Sequence, residues 1–326
     1  MPHILVAGHI HEAGLELLGS APGITFRLIN EITMESYAPF AGEADAILIR
    51  TQRLPAAVIA DAPRLRIVSR HGVGYDAVDV AALNARGIPL AVVGDINSRA
   101  VAEHTLMLML ATARKAIAYD AATRRGPWNY RNSFESVELD GKTLLVLGFG
   151  RIGRRVAQLA QAFGMTVLAH DPFVADGDMR KLGVEPAETV DSALGKADFV
   201  SLHVPLSPAG AAIAGPQIAR MKPSAIIINA ARGGLIDEAA LDHALREGKL
   251  GGAGLDVLAA EPPPSDHPLL ANPKVTFSPH TAGLTQECAK RMAISAAQNI
   301  IDFFNGKLDP QLVVNAKQVL KPGAGG

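Results

Sequence analysis

The segment Gly148-Phe-Gly150-Arg-Ile-Gly153 lies between an apolar run, Leu144–Leu147, and an apolar-periodic stretch from Val156 to Phe163. A buried strand, a glycine turn and a helix in that order make a site for phosphate. Gly148 allows the tight turn, Gly150 leaves room for backbone to approach a pyrophosphate, and Gly153 lets helix and strand pack closely. The pyrophosphate would rest on N–H groups at the helix N-terminus, where the macrodipole favours negative charge. A second apolar run, Met165–Ala169, leads to Asp171. An acid about 20 residues past the glycines bonds the adenosine ribose hydroxyls and repels a 2′-phosphate. These residues point to a dinucleotide, NAD in preference to NADP.

Three more polar residues stand where strands should end and a fourth follows in a loop, and ligands of open α/β sheets bind outside the carboxyl ends of the strands. Arg232 follows Ala225–Ala231, Asp256 follows Gly252–Leu255, and His280 follows Val275–Pro279. Glu261 sits in the loop after Asp256, before three prolines that stiffen it. Singly, each has a structural explanation. Together, beside a dinucleotide site, they point to one reactive crevice.

The elements that must position them are short apolar runs alternating with helix-like stretches. Strands are expected at Ile4–Ala7, Ile24–Leu28, Ala46–Ile49, Ile67–Ser69 and Leu90–Val93. Beyond the glycine turn they are expected at Thr166–Ala169, Phe199–His203, Ala225–Asn229, Gly252–Asp256 and Val275–Ser278. That βαβα rhythm predicts an α/β protein with two Rossmann-like parallel-sheet domains. The joint falls between Asn97 and Arg125, read as one long apolar helix capped by Ser98 and ending near Gly126-Pro127. The stretch from Gly306 to Gly326 is polar, and its last few residues are expected to be mobile.

Composition narrows the function classes. A chain of 326 residues is long for one core, and a 48% hydrophobic content can build two. Net charge is −1 and the pI is near 6.8, so no global basic surface invites nucleic acid or an anionic membrane. One cysteine, Cys288, excludes an internal disulfide framework and a multi-cysteine metal site. The N-terminus reads as a first strand, not a secretion signal, and no run suits a membrane span. A cytoplasmic protein is expected. His9 and His11 have no third ligand nearby in the sequence, so no metal is expected.

The chain resembles the D-isomer-specific 2-hydroxyacid dehydrogenases over nearly its whole length. The resemblance rests on Gly148–Gly153, His203-Val-Pro-Leu206, Asn229–Asp237, Gly254-Leu-Asp-Val257, Glu261-Pro262 and Ser278–Gly283. Gly72-Val-Gly-Tyr-Asp76 and Val101-Ala-Glu-His104 also match. It implies a discontinuous substrate domain, residues 1–98 with 286–326, and an NAD-binding domain, residues 99–285, whose closure excludes water. The implied catalytic set is Arg232, Glu261 and His280. Arg232 would grip the substrate carboxylate, His280 would exchange a proton with the oxygen, and Glu261 would keep His280 protonated. Cofactor contacts are implied at Gly148, Phe149, Gly150, Arg151, Ile152, Gly153 and Asp171. They extend to His203, Val204, Pro205, Ala230, Asp256, Gly283 and Thr105. Asp256 would bond the nicotinamide carboxamide, and Thr105 would reach the cofactor from across the cleft. Val73 and Gly74 would offer amides to the substrate carboxylate.

Arg50-Thr51 resembles part of the phosphate-binding segment of phosphoglycerate dehydrogenases, although Leu48 replaces a neighbouring arginine. Arg53, Arg70 and His71 could compensate, or could form only a solvated surface. Substrate choice therefore stays open between hydroxypyruvate or glyoxylate and 3-phosphoglycerate. Many phosphoglycerate dehydrogenases carry a C-terminal regulatory domain, although shorter forms exist, and the length here would fit a shorter form. Two alternatives stand beside this reading: an NAD-sensing, corepressor-like binding protein, and a formate- or phosphonate-oxidising enzyme. The apolar helix near residues 100–115 fits the dimer contact of the family, so a homodimer is expected.

Overall fold

The computed structural model describes residues 1–207 and 210–320; the final glycine-rich stretch, expected to be mobile, lies outside them. The chain divides into two compact units, Met1–Asn97 with the segment from Leu284 onward, and Ser98–Gly283. Each is built on an all-parallel sheet.

The first unit holds β1 (His3–Ala7), β2 (Thr25–Ile29), β3 (Ala46–Ile49), β4 (Ile67–Arg70) and β5 (Leu90–Ala91) in the order β2-β1-β3-β4-β5. Strands β1 and β3 are almost wholly apolar, as parallel strands covered on both faces must be, and Ile4, Val6, Ile47 and Leu48 have no exposed surface. The helix Gln286–Phe304 opens with Thr285 accepting the Cys288 N–H at 3.1 Å. It packs on the helix Glu12–Ser20 so closely that a Cβ on Gly14 would lie 2.8 Å from the Ala293 carbonyl oxygen. Two buried asparagines fasten this C-terminal segment. Asn299 donates to Val92 O (3.2 Å), and Asn315 accepts the Leu90 N–H (2.9 Å) while donating to Ile88 O and Asn84 Oδ1.

The second unit holds β6 (Thr143–Leu147), β7 (Thr166–His170), β8 (Glu185–Pro186), β9 (Phe199–Leu202), β10 (Ile226–Asn229), β11 (Gly252–Leu255) and β12 (Val275–Phe277). Their order is β12-β11-β10-β9-β6-β7-β8, reversing direction between β6 and β9. The long helix expected between Asn97 and Arg125 is two helices, Ser98–Ala113 and Ala116–Arg125. Lys115 adopts φ 51°, a left-handed conformation that ends the first helix. Ser98 is the first helical residue instead of the cap before it. Among the described residues no helix is long and apolar enough to cross a membrane.

Asn315→Ala removes partners from buried backbone groups, each worth about 1–3 kcal/mol when left unsatisfied. Urea unfolding should show a loss of roughly 2–4 kcal/mol with an unchanged denaturant slope.

Candidate active site

The reversal of strand order in the second unit puts two loops side by side, the glycine turn after β6 and the His203 segment after β9. Gly148 has φ 90°, and a Cβ there would fall 2.5 Å from the His203 carbonyl oxygen. A Cβ on Gly153 would fall 2.1 Å from Gly148 O, so helix and strand approach as closely as the motif predicts. A Cβ on Gly150 meets nothing within 4 Å. The helix Arg151–Ala162 starts there with no side-chain cap, which leaves its first amides for an incoming anion. Asp171 follows β7; its carboxylate accepts the Phe149 N–H (2.8 Å) and the Phe173 N–H (2.9 Å), holding the glycine turn while keeping further lone pairs. His203 bonds Ser201 Oγ at 2.8 Å, and burial pushes its imidazole down to about 4, so it is a neutral wall beside the turn. This uncapped helix start, the open space at Gly150 and the acid after β7 fit the pyrophosphate and ribose of NAD.

The residues after β10, β11 and β12 form a second group at the same sheet edge. His280 Nδ1 lies 2.6 Å from Glu261 Oε2, and the Leu258 N–H donates to Glu261 Oε1 at 3.2 Å. The His280 and Glu261 side chains are 48% and 38% exposed, so their ion pair contributes only about 0–1 kcal/mol to the fold. Its pairing leaves Nε2 of His280 as the ring nitrogen able to meet another group. Arg232 is half-buried, and one guanidinium nitrogen donates to Ala231 O at 2.6 Å. Asn229, 2% exposed, bends the chain into this turn by donating to Arg232 O and accepting the Ala231 N–H. The Arg232 turn abuts the Glu261 loop, because a Cβ on Gly233 would fall 1.9 Å from Leu258 O.

Residues 106–282 match the family described as "D-isomer specific 2-hydroxyacid dehydrogenase, NAD binding domain". The chain is 39% identical over 315 residues to D-3-phosphoglycerate dehydrogenase of Methanocaldococcus jannaschii, covering 96% of this chain and 59% of that protein. It is 36% identical to glyoxylate reductase of Aeropyrum pernix, over 96% of each. A crystal structure of the TT0316 protein from Thermus thermophilus superposes with a TM-score of 0.88 at 32% identity, covering 96% of this chain and 99% of that one. The chain belongs to the D-isomer specific 2-hydroxyacid dehydrogenase family. It spans about three fifths of the length of the phosphoglycerate dehydrogenases it matches.

Within this family member, two of the expected cofactor contacts, Asp256 and Thr105, have side chains bonded into the protein itself. The Asp256 side chain has 0% exposure. Its Oδ1 accepts from Ser278 Oγ (2.6 Å) and the Thr281 N–H (2.9 Å), with His104 Nε2 3.3 Å away; its Oδ2 accepts the Ala282 N–H (2.9 Å). These donors belong to this chain and make the carboxylate a brace for the His280 turn. Burial alone would push its pKa up; the hydrogen bonds from His104, Ser278, Ala282 and Thr281 outweigh that and hold it below the usual carboxylate range. Thr105 has no exposed surface, and its hydroxyl donates to Val101 O within its own helix. Its side chain packs within the helix Ser98–Ala113. Of the remaining expected contacts, Arg151 and Pro205 are exposed, Ile152, Val204 and Gly283 half-buried, and Ala230 buried at the end of β10.

The expected substrate residues lie in the first unit. Arg50 follows β3 and donates to His9 O at 2.8 Å; burial lowers its pKa. Val73 and Gly74 are half-buried in the turn after β4. Burial, with Arg50 and Arg70 nearby, pushes the His71 imidazole down to about 4, so His71 adds no charge at neutral pH. His9 and His11 do not act as a pair: His9 Nδ1 meets Asn30 Oδ1 at 3.4 Å, whereas His11 Nδ1 accepts the Ala13 N–H at 3.1 Å. Sequence reasoning missed Asn229, Ser278 and the role of His104. The signal for each was a polar residue in or just after an otherwise apolar strand, or facing one from a buried helix.

Gly150→Ala should keep the melting temperature while weakening NADH binding, because the methyl enters open space meant for ligand. Gly153→Ala should instead destabilise the protein by about 1–3 kcal/mol through the Gly148 clash. Fluorescence titration with NADH and calorimetry separate the two. Asp256 binds protons less readily folded than unfolded, so its stabilisation is complete above about pH 4 and is lost as pH falls through its lowered folded value. Asp256→Asn should therefore flatten the acid side of the stability profile.

Proposed function

We propose that the protein interconverts a D-2-hydroxy acid and its 2-keto acid, with NAD as redox partner. The observation that carries this reading is the 2.6 Å bond between His280 Nδ1 and Glu261, set at the ligand-binding edge of an NAD-binding domain. In the direction of reduction, NADH, when bound, would supply the hydride to the carbonyl carbon. Arg232 binds the substrate carboxylate through its planar fork and polarises the keto oxygen. His280, oriented by Glu261 through Nδ1, gives the proton on Nε2 to that oxygen. The carbonyl π bond is replaced by one C–H and one O–H bond, and oxidation runs the same steps backward.

The substrate is a small 2-keto acid of the hydroxypyruvate, glyoxylate or phosphohydroxypyruvate kind. Val73 and Gly74 offer backbone amides to its carboxylate, and Arg50 with Arg70 supplies positive charge to its far end. The acting species is a homodimer. An apolar groove of about 530 Å³ between the helices Ser98–Ala113 and Arg151–Ala162, lined by Leu106, Met107, Leu110 and Phe163, supports this. Met107 and Phe163 are 43% and 44% exposed there, and a second copy would cover them.

NADH oxidation with hydroxypyruvate, glyoxylate, pyruvate and phosphohydroxypyruvate in parallel tests the reading. One keto acid should be clearly preferred, and NADPH should serve poorly. His280→Ala should lower turnover by about 10²–10⁴ with NADH affinity retained. Full turnover in that variant, or silence on all four acids, would sink the assignment.

A further inference from the structure

The Glu261–His280 pair is half open to water, and exposed ion pairs hold geometry weakly. Its short separation must come from the backbone that carries it. His280 is held by Asp256, whose carbonyl accepts the His280 N–H at 2.7 Å. Glu261 sits on the loop after β11, and that loop has an anchor of its own. Glu238, in the first turn of the helix Glu238–Arg246, accepts the Ala259 N–H on Oε1 at 2.6 Å. Its Oε2 lies 3.1 Å from His267 Nε2. Both side chains are mostly buried, at 17% and 18% exposure. The His267 N–H in turn bonds Pro264 O at 3.0 Å, so the imidazole on Glu238 closes the far end of the same loop. One carboxylate thereby grips the Glu261 loop on both sides, at Ala259 before Glu261 and at His267 after it.

We propose that Glu238 and His267 form a brace that sets Glu261 against His280, making Glu238 a positioning residue for proton transfer. The inference rests on the catalytic reading of Glu261 and His280 above. Glu238 touches neither of them. Its effect runs through Ala259 to Leu258, whose N–H is bonded to Glu261 Oε1 and whose carbonyl lies over Gly233 beside Arg232. Loss of the brace lets Glu261 drift from His280, while the glycine turn after β6 and its cofactor contacts are left alone.

A double-mutant cycle and nitrogen NMR test this together. Glu238→Ala should lower kcat by about ten- to a hundredfold, the scale of a 1 Å misplacement, with KM for NADH unchanged. Glu238→Gln keeps an acceptor for the Ala259 N–H and should restore most of that loss. In a Glu261→Gln background, Glu238→Ala should cost little more, because both changes break one interaction. Independently of turnover, the Nδ1 resonance of His280 in the NADH-free protein should move in Glu238→Ala in the direction it moves in Glu261→Gln. His267→Ala should move it the same way, less far, and serves if Glu238→Ala does not fold. An unmoved resonance, or additive losses in the cycle, would overturn the brace. A resonance that moves in the variants as expected, while the unsubstituted protein is inactive on every 2-keto acid, would overturn the catalytic reading and leave the brace standing.

Discussion

A carboxylate with no exposed surface persists only if its surroundings supply every donor that water would have supplied. Asp256 meets that demand at the end of β11, with donors from a helix, a strand end and a turn. The requirement works in both directions. To satisfy Asp256, the chain after β12 must bring Ser278, Thr281 and Ala282 to one point, and the residue enclosed by them is His280. That residue has φ 53°, a left-handed conformation uncommon outside glycine, and the surrounding bonds dictate it. The orientation of the exposed imidazole at this edge is thus fixed by a buried charge behind it.

The same division between buried restraint and exposed reactive group recurs at the other two residues. Arg232 is delivered by Asn229, a polar residue at the last position of an otherwise apolar strand, which spends both ends of its amide on the turn that follows. Glu261 is delivered by a loop tied to Glu238. In a parallel sheet all strands end at one edge, so each such device sits beside the next, and the reversal between β6 and β9 opens the phosphate site at that same edge.

Much of this was legible in the sequence because the physics is local. A strand buried on both faces is an apolar run, and β3 was read at its observed ends, Ala46 and Ile49. The glycine turn was legible because each glycine answers a steric demand that any side chain would violate or a ligand would contest. The strand β8 was missed: two residues, one of them proline at a sheet edge, carry no apolar pattern to read. The break at Lys115 is not legible because nothing in the composition of Ala113–Ala118 forbids helix; at the break the Ala113 and Arg114 carbonyls accept from the distant Val137 N–H and Ser136 hydroxyl. Asp256 is legible as a site residue, whereas its donors within the chain are not. A strand-end acid announces a need for donors, but which groups of the chain supply them depends on residues distant in sequence, here His104 and Ser278.

That distinction explains why the cofactor half and the proton-transfer half differ in how far sequence reasoning reaches. Phosphate binding at a helix start uses backbone groups, which every sequence provides once the glycines permit the approach. Proton transfer needs a side chain aimed to within a fraction of an ångström, and exposed side chains do not aim themselves. Aim comes from tying the backbone on both sides of the reacting residue to buried polar partners. Of those partners, Glu238 and His267 lie outside every motif read from the sequence, and the motifs holding Asn229, Ser278 and His104 do not announce this role, because any donor or acceptor of the right reach would serve it. Their identity follows from the folded arrangement alone, through the backbone groups left to be satisfied where β10, β11 and β12 end.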